Sequence, residues 1–168
     1  MSEYKLNNTY TILDFQEDAD MFNNISGSSK AYTKKDIGNQ IALMQEEVQE
    51  TYDAYLNGNM VETLDGCIDT LYVTLGLLQK LNNLGIDTDG AMRQVASDNL
   101  EKFPTSDIVA KETVTMYSEK GVAVVSKYDV LFSAYVIKDA NDKVKKPKGF
   151  TATDLSKYVP VDCYYKEA

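Results

Sequence analysis

Two long segments of helical hydrophobic periodicity follow one another with almost no chain between them. The first covers residues 33–56 and the second residues 60–82, and apolar side chains recur every three or four positions in both. Asn57-Gly58 ends the first segment, and Asn59, followed by Glu62, is a capping signal for the second. A connection of about three residues makes neighbouring helices antiparallel. The sequence therefore predicts a helical hairpin at the centre of the fold.

Further helices and a β-hairpin are predicted around this centre. The helices are expected at residues 9–24, from Asp87 to before Pro104, and from Thr105 or Ser106 to Gly121. Residues 122–138 alternate in polarity and are rich in Val, Tyr and Phe, with Asp129 between two strand-like runs. The predicted fold is mainly α, an antiparallel helical bundle with a C-terminal β-hairpin.

Two domains follow from this order of elements. A helical domain is expected over residues 1–121, and a hairpin with its tail over residues 122–168, packed on the same domain or on a partner subunit. A helical hairpin cannot bury both of its faces alone, so self-association is expected to complete the bundle.

The composition narrows the possible functions. The net charge is -9, which disfavours binding to a nucleic-acid backbone. No apolar run is long enough to span a bilayer, and the N-terminus lacks the regions of a signal peptide, so a cytoplasmic location is expected. The chain has no histidine and two cysteines, which excludes Ser-His-Asp and Cys-His catalysis and the common zinc sites.

Acidic residues cluster on both helices of the hairpin. Glu46, Glu47 and Glu50 share one side of the first helix, and Asp65 and Asp69 lie four residues apart on the second. Measured from the turn, the two groups lie at similar heights and should face each other. A solvated acidic face is the alternative, but Asp69 lies within an apolar run, where an unpaired carboxylate needs a partner. Carboxylates without histidine favour Mg²⁺, with Mn²⁺ as a further possibility.

The order and spacing of these motifs resemble the all-α nucleoside triphosphate pyrophosphohydrolases. This superfamily includes MazG-like proteins, dimeric dUTPases and phosphoribosyl-ATP pyrophosphohydrolases. The acidic motifs are residues 43–50 (LMQEEVQE) and 64–73 (LDGCIDTLYV), and shorter matching blocks lie at 85–87, 97–103 (SDNLEKF), 142–147 and 154–155. The resemblance implies a MazG-like bundle, homodimeric or homotetrameric assembly, and magnesium-dependent cleavage of a nucleoside triphosphate to its monophosphate and pyrophosphate.

The resemblance also implies roles for individual residues. Metal ligands would be Glu46, Glu47, Glu50 and Asp69, and Glu46 or Glu47 could instead orient or deprotonate the attacking water. The family often has Glu where this chain has Gly66, so Asp65 is expected to take that role. Asn99 and Lys102 resemble the pair that contacts substrate phosphate or metal-bound water, and Lys102 would stabilise charge on the phosphates.

Some candidate residues have two interpretations. Tyr72 could stack on a nucleobase or belong to the core. Lys30, Lys34 and Lys35 could contact phosphate or be ordinary surface lysines, and the lysines of residues 138–148 could close over a polyphosphate or keep a loop soluble. The alternative function is a non-catalytic module that binds a nucleotide or a metal on the same fold, which the change at Gly66 favours.

Overall fold

The structure is a computed structural model that describes residues 10–28, 33–161 and 163 of the 168-residue chain. The described residues form five α-helices, a two-stranded sheet and one 3₁₀ turn. In chain order these are α1 (Ile12–Ser26), α2 (Lys34–Leu56), α3 (Met60–Asn83), α4 (Thr88–Leu100), α5 (Asp107–Glu119), β1 (Val124–Asp129), β2 (Ala134–Asp139) and the 3₁₀ turn Leu155–Tyr158. The predicted mainly α fold with a C-terminal hairpin is confirmed.

Short polar side chains define where the helices begin. Thr33 accepts a hydrogen bond from the Asp36 backbone N–H at the start of α2, and Asn59 accepts one from the Glu62 N–H at the start of α3. Both caps agree with the sequence prediction, because each satisfies a backbone N–H that has no partner inside the helix. Ser106 caps α5 in the same way.

Helix α1 begins later than predicted. Its cap is Thr11, whose hydroxyl accepts a hydrogen bond from the Asp14 N–H, and the Asp14 carboxylate accepts one from the Thr11 N–H at 2.7 Å. This reciprocal capping box fixes the start of the helix. Thr9, the predicted start, lies outside the described residues.

Strands β1 and β2 pair in antiparallel register, with Ser126 opposite Ile137 and Asp129 opposite Ala134. Asp129, predicted to divide the two strands, ends β1, and its carboxylate accepts hydrogen bonds from the N–H groups of Leu131 and Phe132. The turn between the strands is therefore held by one side chain.

The contacts group the chain into two compact units, which are described separately. The first contains residues 1–88 and 158–168 as far as they are described, and the second contains residues 89–157. The domain boundary expected between residues 121 and 122 stays a prediction. None of the helices in the described part of the chain is both long and apolar enough to span a membrane.

In the first unit, α2 and α1 both pack on α3. Ala19, Ile37 and Leu75 are the buried apolar residues there, and the rings of Phe15 and Phe22 meet the Tyr72 ring edge-on with centroids 5.5 and 5.7 Å away. Much of the predicted apolar face of the hairpin remains exposed within one chain. The exposed members include Ile41, Val48, Leu64 and Ile68.

The second unit is built around α5 and the sheet. Ile137 and Thr113 are fully buried. The Thr113 hydroxyl donates to the Val109 carbonyl at 2.6 Å and accepts from the Lys148 N–H at 2.8 Å, which fastens the segment after the hairpin to α5. The Lys145 N–H donates to the Ile137 carbonyl at 2.8 Å, so the same segment is also tied to β2.

Candidate active site

The α2–α3 hairpin brings the two predicted acidic groups together. Glu47 is half-buried, and its pKa is raised first by burial and then by the negative charges of neighbouring carboxylates. Those neighbours lie on both helices: Asp69, Glu50, Glu46 and Asp65, in decreasing order of effect. Five carboxylates therefore share one region of the hairpin and repel one another.

No positive side chain offsets these charges within the described part of the chain. The ion pairs formed there involve other acids: Asp107, Asp142, Asp139 and Glu112. An uncompensated set of carboxylate oxygens has the donor chemistry that a hard divalent cation prefers. As the side chains stand, however, no three acidic or thiol groups among the described residues surround one point closely enough to share a cation. The assignment of these acids as magnesium ligands stays a prediction.

The two helices pack closely where these acids lie. A Cβ added to Gly66 would lie 2.5 Å from the Thr51 hydroxyl oxygen and 3.2 Å from the Thr51 Cα. Gly66 lies between Asp65 and Asp69 in α3, and Thr51 directly follows Glu50 in α2. The departure from the family pattern at Gly66 thus has a physical reason, because a glutamate side chain would collide with α2 at this position.

Neutralising Glu47 is expected to stabilise the metal-free protein. A carboxyl whose pKa is raised in the folded state favours folding when it is protonated, so the metal-free fold should gain stability as the pH falls through the folded pKa. The Glu47→Gln variant should lose this pH dependence. At pH 8 it should be more stable by a few tenths of a kcal/mol, because a like-charge pair one helical turn apart costs about 0.2–0.5 kcal/mol.

Urea unfolding in the presence of EDTA at pH 5 and pH 8 measures this effect. The exposed Glu119, in the second unit, supplies the control Glu119→Gln, which should behave like the wild type. A Glu47→Gln variant that is less stable than the wild type at pH 8 would contradict this expectation. It would mean that other interactions of the Glu47 carboxylate outweigh its repulsion by the neighbouring carboxylates.

Asn99 and Lys102 belong to the second unit, at the end of α4. The Lys102 ammonium donates to the Asn99 side-chain oxygen at 2.5 Å, so these two predicted residues are in direct contact. This bond occupies the Asn99 oxygen and leaves its NH₂ group to serve as a donor. Their role towards a phosphate stays a prediction.

Sequence reasoning missed the function of Asp98, the neighbour of Asn99. Its carboxylate accepts hydrogen bonds from the Thr153 N–H at 2.8 Å, the Thr153 hydroxyl at 3.0 Å and the Gln94 amide at 2.9 Å. The bond from Gln94, followed by those from Thr153, lowers the Asp98 pKa. Asp98 therefore fastens the C-terminal segment to α4. The sequence shows only an acidic residue beside Asn99. It does not show the partner of Asp98, because Thr153 is 55 residues away along the chain.

The remaining candidates lie as follows. The Tyr72 ring packs between the rings of Phe15 and Phe22, which agrees with a place in the core. Burial raises the pKa of its hydroxyl. Lys34 and Lys35 are exposed in the first turn of α2, while Lys30 lies outside the described residues. Contacts of Tyr72, Lys34 and Lys35 with a substrate stay predictions.

The lysines near the hairpin mostly have acidic or aromatic neighbours inside the second unit. Lys138 pairs with Asp142 at 2.9 Å and Lys145 with Asp139 at 3.0 Å. Lys148 pairs with Glu112 at 3.3 Å, and the Lys146 ammonium lies 5.3 Å from the centre of the Phe150 ring. These four lysines thus have partners within the second unit, and their closure over a polyphosphate stays a prediction.

A comparison with known protein families supports the class of enzyme that the sequence resembles, a pyrophosphohydrolase. Residues 21–99, which include all of α2 and α3, match the family model of phosphoribosyl-ATP pyrophosphohydrolase. That family belongs to the all-α nucleoside triphosphate pyrophosphohydrolase superfamily, so the resemblance found in the sequence is confirmed. The match supports a pyrophosphohydrolase-type activity on a nucleotide substrate, which is hydrolysis of a phosphoric anhydride. No curated protein and no solved structure matches the chain significantly.

Proposed function

We propose that this protein is a magnesium-dependent pyrophosphohydrolase that cleaves ribo- or deoxyribonucleoside triphosphates to the monophosphate and pyrophosphate. The observation that carries the proposal is the group of uncompensated carboxylates on the packed α2–α3 hairpin, inside the segment that matches the family. Repulsion of this kind destabilises a helix pair unless a cation or a proton offsets it. A polyphosphate substrate also requires cations to neutralise its own charge.

Glu47, Glu50, Asp65 and Asp69 would hold Mg²⁺, or Mn²⁺ in its place. A bound cation would supply charge neutralisation for the polyphosphate and make an attacking water more acidic. The carboxylate oxygens of the chain suit these hard ions.

The protein's own groups would carry the proton and orient the substrate. Water attacks the α-phosphorus, the bond from that phosphorus to the bridging oxygen breaks, and pyrophosphate leaves with the bonding electrons. Glu46, which is exposed, or the half-buried Glu47 would accept the proton of the water. Lys102 would stabilise charge on the phosphates, and the NH₂ group of Asn99 would donate to a phosphate oxygen. Lys34, Lys35 and Tyr72 are further substrate contacts in this proposal.

The proposal includes a homodimer or homotetramer that works in the cytoplasm, with no nucleic-acid or membrane partner. Large apolar side chains near the α2–α3 turn are exposed in a single chain, among them Met60 at 69%, Val61 at 76% and Leu64 at 65%. An open apolar groove of about 420 Å³ lies beside them, lined by residues that include Val48, Tyr52 and Cys67. Apolar patches of this kind mark protein interfaces.

Replacing Val61 by lysine is therefore expected to separate the subunits. The matched control is Ile108→Lys on α5, because Ile108 is 69% exposed but belongs to the other unit and lies outside the hairpin. Size-exclusion chromatography with light scattering should give the mass of one chain for Val61→Lys and the wild-type mass for Ile108→Lys. A wild type with the mass of one chain, or an unchanged Val61→Lys variant, would contradict this assembly.

Pyrophosphate release from a panel of triphosphates tests the function. The panel contains the common ribo- and deoxyribonucleoside triphosphates and phosphoribosyl-ATP, the substrate in the name of the matching family. The proposal predicts release from at least one nucleoside triphosphate with Mg²⁺ and none with EDTA. Release from phosphoribosyl-ATP alone would contradict the proposed nucleoside triphosphate substrate and retain only the pyrophosphohydrolase activity. Nucleotide binding without release from any compound would instead establish the non-catalytic module.

A further inference from the structure

Among the glycines of the helices in the first unit, Gly66 leaves the least room for a side chain, and the proposed chemistry does not use it. Gly66 is buried, and a Cβ there would lie 2.5 Å from the Thr51 hydroxyl, 3.2 Å from its Cα and 3.3 Å from its Cβ. The first of these distances is shorter than any real Cβ contact, and the second involves backbone, which no side-chain rotation can relieve. A methyl group at position 66 therefore requires α2 and α3 to move apart.

A hydrogen bond holds the Thr51 side chain in its position. Its hydroxyl donates to the Glu47 carbonyl at 2.7 Å, so the side chain is held against its own helix. Rotating the hydroxyl away from Gly66 would break this bond and would still leave the Cα in the way.

The contact lies at the level of the acidic residues. Thr51 follows Glu50 by one residue and Glu47 by four, and Gly66 follows Asp65 by one and precedes Asp69 by three. Residues four apart share a helix face, and residues one apart lie at nearly the same height. A change in helix separation at Gly66 and Thr51 therefore moves the carboxylates of the two helices relative to one another.

We propose that the contact between Gly66 and Thr51 is a positioning device that sets the distance between the carboxylates of α2 and those of α3, and thereby the affinity for a divalent cation. This inference rests on the proposed function. In this chain the position of the usual family glutamate is taken by the helix contact, and the neighbouring Asp65 supplies the carboxylate instead. In this proposal Gly66 and Thr51 are positioning residues, which act only through the carboxylates on their helices.

Two other helical glycines provide matched controls. Gly38 in α2 has nothing within 4 Å of its would-be Cβ, so Gly38→Ala should be harmless. Gly76 in α3 is also closely packed, with a would-be Cβ 3.0 Å from the Gln40 amide nitrogen and 3.2 Å from that of Asn23, but it lies seven residues beyond Asp69. Gly76→Ala therefore reports the cost of crowding α3 away from the acids.

The test is Mn²⁺ binding to the full-length, folded, nucleotide-free protein, measured by calorimetry together with urea unfolding. Gly66→Ala should weaken Mn²⁺ binding about 10- to 100-fold, the loss typical of groups that orient metal ligands. Gly76→Ala should lower stability and keep the wild-type affinity, and Gly38→Ala should keep the affinity and slightly raise stability, because alanine favours a helix more than glycine does. In Thr51→Ala/Gly66→Ala, which removes the hydroxyl at the closest contact, part of the affinity should return.

Wild-type Mn²⁺ affinity in Gly66→Ala, or an equal loss in Gly76→Ala, would overturn the inference. If Gly66→Ala does not fold, Thr51→Ile carries the test, because it replaces the hydroxyl by a larger alkyl group and adds bulk to the same contact from the α2 side. The same loss is then expected, and an unchanged affinity would refute the proposal. A wild type that binds no Mn²⁺ would instead overturn the proposed metal site itself, which separates the two failures.

Discussion

Asp69→Asn and Glu50→Gln are each expected to lower magnesium-dependent pyrophosphate release by about a hundredfold or more. Each change keeps the size of the side chain and removes one negative charge from the region where the carboxylates of both helices act on Glu47. Loss of a direct ligand should exceed the 10- to 100-fold cost of disturbing the groups that merely orient ligands. The two residues lie on different helices, so two similar losses would show that both helices contribute to one site.

Rates measured over a range of Mg²⁺ concentrations distinguish lost affinity from lost chemistry. If the side chains bind the cation, part of the activity should return at high Mg²⁺. Glu119→Gln is the matched control, since it neutralises an exposed glutamate at the end of α5. Near-wild-type rates in both Asp69→Asn and Glu50→Gln would remove the carboxylate cluster from the mechanism.

Ile137→Ala is expected to destabilise the second unit by about 2–5 kcal/mol, the usual cost of removing most of a buried isoleucine side chain. Ile137 has no exposed surface, and it lies on β2, which packs against α5. Such a loss is a large fraction of the 5–15 kcal/mol that typically stabilises a domain. The variant should therefore lose most of its hairpin structure at moderate urea concentrations.

Urea unfolding followed by circular dichroism measures the loss, because the chain contains no tryptophan. Ile137→Val removes a single methylene and should cost about 0.5–1.5 kcal/mol. A change of less than about 1 kcal/mol in Ile137→Ala would mean that the β2 side chain is not part of a close-packed core.

The parts of the fold that local sequence determines were predictable. The caps of α2 and α3 follow from a side chain and a backbone N–H three residues away, which a sequence displays directly. Asp129 marked the hairpin turn because its carboxylate bonds to residues two and three positions on. The start of α1 was misplaced although its signal, Thr11 with Asp14, is equally local.

The features that depend on distant residues were not predictable. Helical spacing indicates which acids share a face of α2 or α3. It does not show that Gly66 meets the Thr51 backbone, because a close approach depends on how two helices pack. The bonds between Asp98 and Thr153 join residues 55 positions apart for the same reason. The apolar residues near the α2–α3 turn also follow the helical pattern, and their exposure was not predictable because it depends on what packs against the hairpin.

The most direct test of the proposed chemistry is hydrolysis of the preferred triphosphate in ¹⁸O-labelled water with Mg²⁺, followed by mass spectrometry of both products. Attack at the α-phosphorus predicts one labelled oxygen in the nucleoside monophosphate, unlabelled pyrophosphate and no turnover in EDTA. Label in the pyrophosphate, release of single phosphate, or equal turnover without a divalent cation would contradict the proposed reaction.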